Sequence, residues 1–204
     1  MVALKSIENK KKTPKIPEYL IWEVLDGKPL YRKGYKDVLK KLKTFDEIMG
    51  TSSWQSLLCD YIARLLHRYL DEQKYDVLIN ELGLHIQKGD NVSSDICIVP
   101  RLKPEQINKK YVQFAPKIIV EVDLDIDTEN INELEYLHNK TQKLLDFGVE
   151  KVIWILTASK KIIVATPNND WMTSNWSRDI HIIDDIVFNI QKYLDERGVD
   201  INNL

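Results

Sequence analysis

The chain has 204 residues, of which 44% are hydrophobic and 29% are charged, and its formal net charge is −2. This is the composition of a soluble globular protein with room for one sizeable core, and no apolar run approaches the ~20 residues of a membrane-spanning helix. The N-terminus also lacks the apolar segment of a secretory signal, so a cytoplasmic location is expected.

The charge is unevenly distributed along the chain. Residues 1–45 contain 12 Lys and Arg against 5 Asp and Glu, a balance of +7, which leaves −9 for the remainder. A basic arm beside an acidic body can attract nucleic acid to a carboxylate-lined site. A solvated tail with a lysine-rich helix face explains the same charges equally well.

The N-terminal part is predicted to be a leader followed by a hairpin. The lysine-rich residues 1–16 are expected to be a flexible leader, and residues 17–204 a single domain. The apolar segments 19–25 and 29–31 flank Asp26-Gly27, a dipeptide that favours a two-residue hairpin turn. The sequence therefore predicts an N-terminal β-hairpin.

The most regular pattern of the chain begins at residue 51. Hydroxyl side chains at 51–53 suit a helix N-cap, and apolar side chains then recur at i, i+3 and i+4 from Trp54 to Leu70. A long helix follows from this pattern, with a short helix predicted before it at 35–49. Strands are predicted at 76–82, 84–88, 94–99 and 117–124.

The C-terminal half alternates between helical and strand patterns. A second amphipathic helix is predicted at 131–147, because Gly148 suits the position after a helix end. The remaining elements are strands at 151–157, 161–165 and 180–183 and a closing helix at 186–196. This order predicts an α/β protein in which a mixed sheet is flanked by helices.

Two consecutive apolar strands each carry an acid. Asp95 shares its strand face with Cys97 and Val99, and Glu121 shares its face with Ile119. A carboxylate on a buried strand is costly unless it has a partner or a metal. Hard cations such as Mg²⁺ take carboxylate oxygens, so we predict a cation site at Asp95 and Glu121. An exposed sheet end is the alternative, and it suits Asp95 better than Glu121.

A lysine on the following helix is predicted to face these acids. At 100° per residue, the apolar stripe of the 131–147 helix is centred about 320° from Leu134. Lys140 falls at about 240°, on the edge of the stripe, whereas Lys143 falls at about 180° and is expected in solvent. The alternative is that Lys140 only covers apolar surface with its stem.

Two further acids are weaker candidates. Glu81 lies on the strand before Asp95 and is either an additional carboxylate of the site or an acid at a strand end. The acidic run 123–129 has the spacing of half a calcium loop but lacks its glycine, so it is interpreted as a charged loop with Asp123 near the metal. The commonest nucleotide-binding and hydrolase motifs do not occur.

Taken together, these residues resemble the PD-(D/E)XK nuclease superfamily, and within it the restriction-endonuclease-like family of the Uma-two type. The resemblance spans residues 19–194 and rests on the hairpin 22–27, the long helix from Ser53, and the strand with Asp95. It continues with the strand 120–122 and with Lys140, eight residues before Gly148. Ser94 replaces the proline of the family's first motif.

The resemblance implies a Mg²⁺- or Mn²⁺-dependent DNA endonuclease. Asp95, Glu121 and the backbone carbonyl of Val122 would be metal ligands, and Lys140 would take the role of the superfamily lysine. That lysine normally stands two residues after the second acid, where this chain has Asp123. The resemblance also implies a homodimer and products with 5′-phosphate and 3′-hydroxyl ends.

Two other functions remain open from the sequence. A catalytically inactive protein of the same fold could bind nucleic acid or a partner protein. A purely structural oligomer could use exposed aromatic side chains at Trp171 and Trp176.

Overall fold

A computed structural model describes residues 16–124 and 132–200 of the chain. The predicted leader therefore lies outside the described residues except for residue 16, and so does most of the acidic loop after Asp123. Within the described residues, no helix is long and apolar enough to cross a membrane.

The centre of the fold is an eight-stranded mixed sheet with the order β2-β1-β4-β5-β6-β7-β8, in which β3 pairs with the other edge of β4. Only β5 and β6 are parallel neighbours, and every other pair in this sheet is antiparallel. The strands are β1 (Ile21–Leu25), β2 (Lys28–Tyr31), β3 (Tyr75–Gln87), β4 (Asp90–Pro100), β5 (Ile118–Val122), β6 (Lys151–Leu156), β7 (Lys161–Ala165) and β8 (Met172–Asn175). A separate pair is formed by β9 (Ile180–Ile183) and β10 (Ile186–Phe188).

Two long helices cover opposite faces of the sheet. The helices are α1 (Tyr35–Leu39), α2 (Ser53–Tyr69), α3 (Glu133–Phe147) and α4 (Ile190–Glu196). Alternate residues of the central strands pack on each side, since Ile96, Ile98 and Val120 belong to the core under α2. Cys97 and Ile119 belong to the core under α3. The predicted α/β class, with a mixed sheet flanked by helices, is therefore confirmed.

Local sequence signals explain how these elements begin and end. The Ser52 side chain accepts a hydrogen bond from the Gln55 backbone N–H at 3.1 Å and caps α2. Gly148 follows α3 with a φ of 116°, a left-handed conformation that glycine adopts without strain. Asp26 and Gly27 both have positive φ angles and join β1 to β2, as the hairpin prediction required.

Several predicted boundaries are wrong. The strands predicted at 76–82 and 84–88 are one strand, β3, interrupted by an irregularity at Asn80 and Glu81, both of which have positive φ angles. The short helix expected at 35–49 spans only Tyr35–Leu39, with a 3₁₀ turn at Asp46–Ile48.

The predicted closing helix at 186–196 also begins too early. Residues 186–188 form β10, which pairs with β9, and the helix covers only Ile190–Glu196. The Asn189 side chain caps that helix by accepting from the Lys192 backbone N–H at 2.9 Å. Trp176, considered as an exposed aromatic, is only 3% exposed and packs in the core under α2, so it offers no surface for an oligomer.

Candidate active site

The sheet places the two predicted acids opposite each other on the face under α3. In the β4–β5 ladder, Cys97 pairs with Ile119 and Ile96 pairs with Val120, a register in which Asp95 and Glu121 are the next partners. The Asp95 carboxylate accepts a hydrogen bond from the Val122 backbone N–H at 2.7 Å. The two carboxylates therefore extend into the same space between the sheet and α3.

Lys140 reaches this space from α3 and is almost entirely buried, with 3% of its side chain exposed. Its ammonium lies 3.1 Å from Glu121 Oε1 and donates to the backbone carbonyl of Ser93 at 2.7 Å. The ring of Trp154 lies below the ammonium, 5.5 Å from centroid to Nζ. The structure thus brings Asp95, Glu121 and Lys140 together.

Glu23 is a member of this cluster that the sequence reasoning did not assign. It lies on β1, and Lys140 donates a hydrogen bond to its Oε1 at 2.9 Å. Its carboxylate also accepts from the Tyr136 hydroxyl at 2.7 Å and from the Ser93 backbone N–H at 2.9 Å. A signal was present, because Glu23 shares its strand face with buried Leu25 in an otherwise apolar strand.

The three charges of this buried cluster do not balance. One ammonium, Lys140, faces the carboxyl groups of Glu23 and Glu121. Glu23 accepts hydrogen bonds from four donors. Glu121 Oε1 is buried and accepts none, and the Lys140 ammonium is its ion-pair partner at 3.1 Å. Burial raises the pKa of Glu121 to about 8 against the opposing effect of Lys140, and the charges of Asp95 and Glu23 raise it further. Glu121 is therefore the acid that holds a proton at neutral pH in the metal-free protein.

This protonation gives the metal-free protein a pH-dependent stability. Between the ordinary glutamate pKa of 4.5 and the folded value of about 8, the folded state holds a proton that the unfolded state has released. The free energy of unfolding should therefore decrease as the pH rises through this window, by at most about 5 kcal/mol for this one group. Urea unfolding across the window measures the decrease, and Glu121→Gln should remove most of it. An unchanged slope in that variant would show that another group is responsible.

Lys143 does not face solvent as predicted. Its ammonium contacts Asp26 Oδ1 at 2.8 Å and Asp90 Oδ2 at 3.0 Å, and its side chain is 20% exposed. Asp90 also accepts from the Asp26 backbone N–H and from Gln87. Lys143 thus ties α3 to the hairpin that carries Glu23. The helical wheel placed the backbone of Lys143 away from the sheet, but it did not account for the long side chain, which extends to the hairpin turn.

Two neighbouring spaces adjoin the acidic cluster. A small cavity of about 20 Å³ is lined by Asp95, Glu121 and Lys140 together with Trp22 and Trp154, and it has room for about one water-sized ligand. A much larger cleft of about 1010 Å³ shares Trp22 and Asp123 with the small cavity. The large cleft therefore lies next to the acids.

The charges of the large cleft are mixed. Its basic residues are Arg32, Lys33 and Lys43, and its acidic residues are Glu47, Glu81, Asp123 and Glu133. A polyanion in this cleft meets more acids than bases, so a cation held by the acids would strengthen its binding. The weaker candidate Glu81 lines this cleft and not the small cavity.

Asp123 lines both spaces, and its carboxylate is hydrogen-bonded to Thr157, which follows β6. Its carboxylate accepts from the Thr157 backbone N–H at 2.7 Å and from the Thr157 hydroxyl at 2.6 Å. Its φ angle of 62° is uncommon for a residue other than glycine.

The donor atoms of the small cavity suit a hard divalent cation. Among the described residues, no group of three or more His, Cys, Asp or Glu side chains is arranged to hold a metal. Three carboxylates, those of Asp95, Glu121 and Asp123, nevertheless line the cavity. Asp123 is engaged by Thr157, whereas Glu121 has a buried oxygen without a hydrogen bond. Mg²⁺ commonly binds through one or two carboxylates and keeps several waters. The residues present therefore fit such an ion.

Comparison with known proteins identifies a solved structure with a similar fold. No protein-family model and no curated protein matches the chain. A solved structure from Anabaena variabilis ATCC 29413, described as a candidate nuclease belonging to DUF820, is similar with a TM-score of 0.61 and 10% sequence identity. The match covers 85% of this chain and 89% of that one. The chain therefore has a nuclease-like fold.

Proposed function

We propose that this protein is a Mg²⁺- or Mn²⁺-dependent endonuclease that hydrolyses DNA phosphodiester bonds. The observation that carries the proposal is the convergence of Asp95, Glu121 and buried Lys140 on one cavity beside an open cleft. The similarity to a candidate nuclease in fold supports it. Nuclease activity accounts for the otherwise costly burial of Glu121 and Lys140.

The acids would hold the cation, with Asp95 and Glu121 as side-chain ligands and the Val122 carbonyl as a further one. A bound divalent ion polarises a phosphate oxygen and acidifies a water molecule. Glu121 must lose its proton before it can bind the ion, because it holds that proton up to a pH of about 8. Cation affinity should therefore rise with pH up to that value.

Lys140 would act through its charge. Burial lowers its pKa, but Glu121 and Glu23 raise it more, so the pKa lies well above the usual value for lysine. A lysine that keeps its proton cannot accept one from water at neutral pH. It can instead orient the attacking water or offset the charge that develops on the phosphate. Glu23 and the Ser93 carbonyl fix the ammonium in place for that role.

The direct test is DNA cleavage by the purified protein. We expect cleavage of DNA with Mg²⁺ or Mn²⁺, none with EDTA, and at least a hundredfold slower cleavage by Asp95→Asn, because even partners outside a metal's ligand shell cost about 10–100-fold. Asp60→Asn is the matched control, since Asp60 is an exposed acid on α2 paired with Arg64. If wild type cuts neither single- nor double-stranded DNA with any divalent cation, the protein is better explained as an inactive binding module of the same fold.

A further inference from the structure

Four planar side chains form a row beside the candidate active site, which we call the stacking row. It begins at Trp22, which lines both the small cavity and the large cleft. The Arg32 guanidinium lies over the Trp22 ring at 4.1 Å and 5.9 Å from the centroid of Phe45. Tyr19 then packs edge-on against Phe45 at 5.2 Å. Trp22 and Arg32 line the large cleft, and the row continues beyond it through Phe45 to Tyr19, which is 56% exposed.

The row combines the two features with which proteins bind unpaired nucleic acid. Aromatic rings and the guanidinium plane of arginine offer surfaces on which bases stack, and this contact is tolerant of sequence. Arg32 adds a positive charge, and Lys33 and Lys43 line the same cleft. In a duplex, each base is already covered by its neighbours, so its face cannot stack on the protein.

The deep burial of the acids also favours a single-stranded nucleic acid as the ligand. Glu121 is only 4% exposed, and the small cavity holds about 20 Å³. A flexible strand can turn one phosphate into such a recess while its bases lie along the wall of the cleft. A duplex is stiff and must be deformed before one of its phosphates reaches the same depth.

From these observations we propose that the substrate is unpaired DNA, with the bases next to the cut phosphate stacked on the row at Arg32 and Tyr19. This inference rests on the proposed nuclease function and specifies its substrate class. Trp22 supports Arg32 from the core side, since it packs against the core under α3.

The experiment compares binding of a single-stranded oligonucleotide and its blunt duplex in EDTA, where no cleavage can occur. Wild type should prefer the single strand. Arg32→Lys keeps the charge but loses the planar surface, so it should weaken single-strand binding roughly tenfold and duplex binding little. Lys33→Ala is the matched control, and it should weaken both forms equally and lower the salt slope by about one.

A second variant covers the case in which Arg32 is needed for folding. Tyr19→Leu changes an exposed ring and should reduce single-strand affinity several-fold without changing the melting temperature. Equal affinity of wild type for both DNA forms, or equal losses on both forms in Arg32→Lys and Tyr19→Leu, would overturn the inference. Failure of the nuclease proposal looks different, because single-strand preference would persist without metal-dependent cleavage.

Discussion

Replacing Glu121 with alanine is expected to abolish metal-dependent cleavage while leaving the protein folded. The substitution removes one of the two carboxylates proposed as metal ligands in the small cavity, so the loss of rate should be at least about a hundredfold. The fold should survive, because Lys140 keeps its 2.9 Å contact with Glu23 and because Glu121 carries no favourable charge in the metal-free protein. Cleavage rate and circular dichroism measure the two effects.

The same variant should still bind DNA in EDTA. Nonspecific affinity comes mainly from Lys and Arg contacts to phosphates. We expect the basic side chains of residues 5–43 to make these contacts, and the substitution leaves them unchanged. We therefore expect a similar dissociation constant and a similar salt slope. Glu150→Ala is a suitable control, since Glu150 is an exposed acid paired with Lys117 on the sheet. Cleavage by Glu121→Ala at the wild-type rate would contradict the assignment of Glu121 as a ligand.

The periodicity of strands and helices predicted the positions of Asp95, Glu121 and Lys140, because these residues lie on regular elements. Two-residue alternation placed Asp95 on the face of Cys97 and Glu121 on the face of Ile119, and that face is the one under α3. The helical wheel placed Lys140 at the edge of the apolar stripe, where it is 3% exposed. These positions could be predicted because the spacing of residues within one strand or helix is enough to assign the face on which each side chain lies.

Contacts between elements that are distant in sequence could not be predicted from the periodicity within one element. Glu23 meets Lys140 across 117 residues, and only the pairing of β1 with β4 brings the hairpin to this helix. Lys143 was misplaced for the same reason, because the turn at Asp26 extends alongside α3. The strand β10 was taken for the start of a helix, since a three-residue apolar run has no distinguishing period.

Replacing Lys140 with methionine is expected to be among the most destabilising changes in this chain. Methionine matches the length of the stem but leaves Glu23 without its buried cation, and breaking a buried ion pair on one side typically costs about 3–5 kcal/mol. The loss should grow as the pH rises and Glu121 releases its proton, because a second uncompensated negative charge then appears in the cluster. Urea unfolding at several pH values measures both the size and the direction of the effect.

The controls come from the same helix and the same ion pair. Lys143→Met removes a lysine that is 20% exposed, and its buried partner Asp90 keeps the hydrogen bonds from Gln87 and from the Asp26 backbone N–H, so the loss should be smaller, about 2 kcal/mol. Adding Glu23→Gln to Lys140→Met should recover part of the stability, because the uncompensated charge disappears with it. Equal losses in Lys140→Met and Lys143→Met would contradict a buried ion pair at Lys140. A double variant that is less stable than Lys140→Met would show that Glu23 stabilises the hairpin through its bonds to Ser93 and Tyr136.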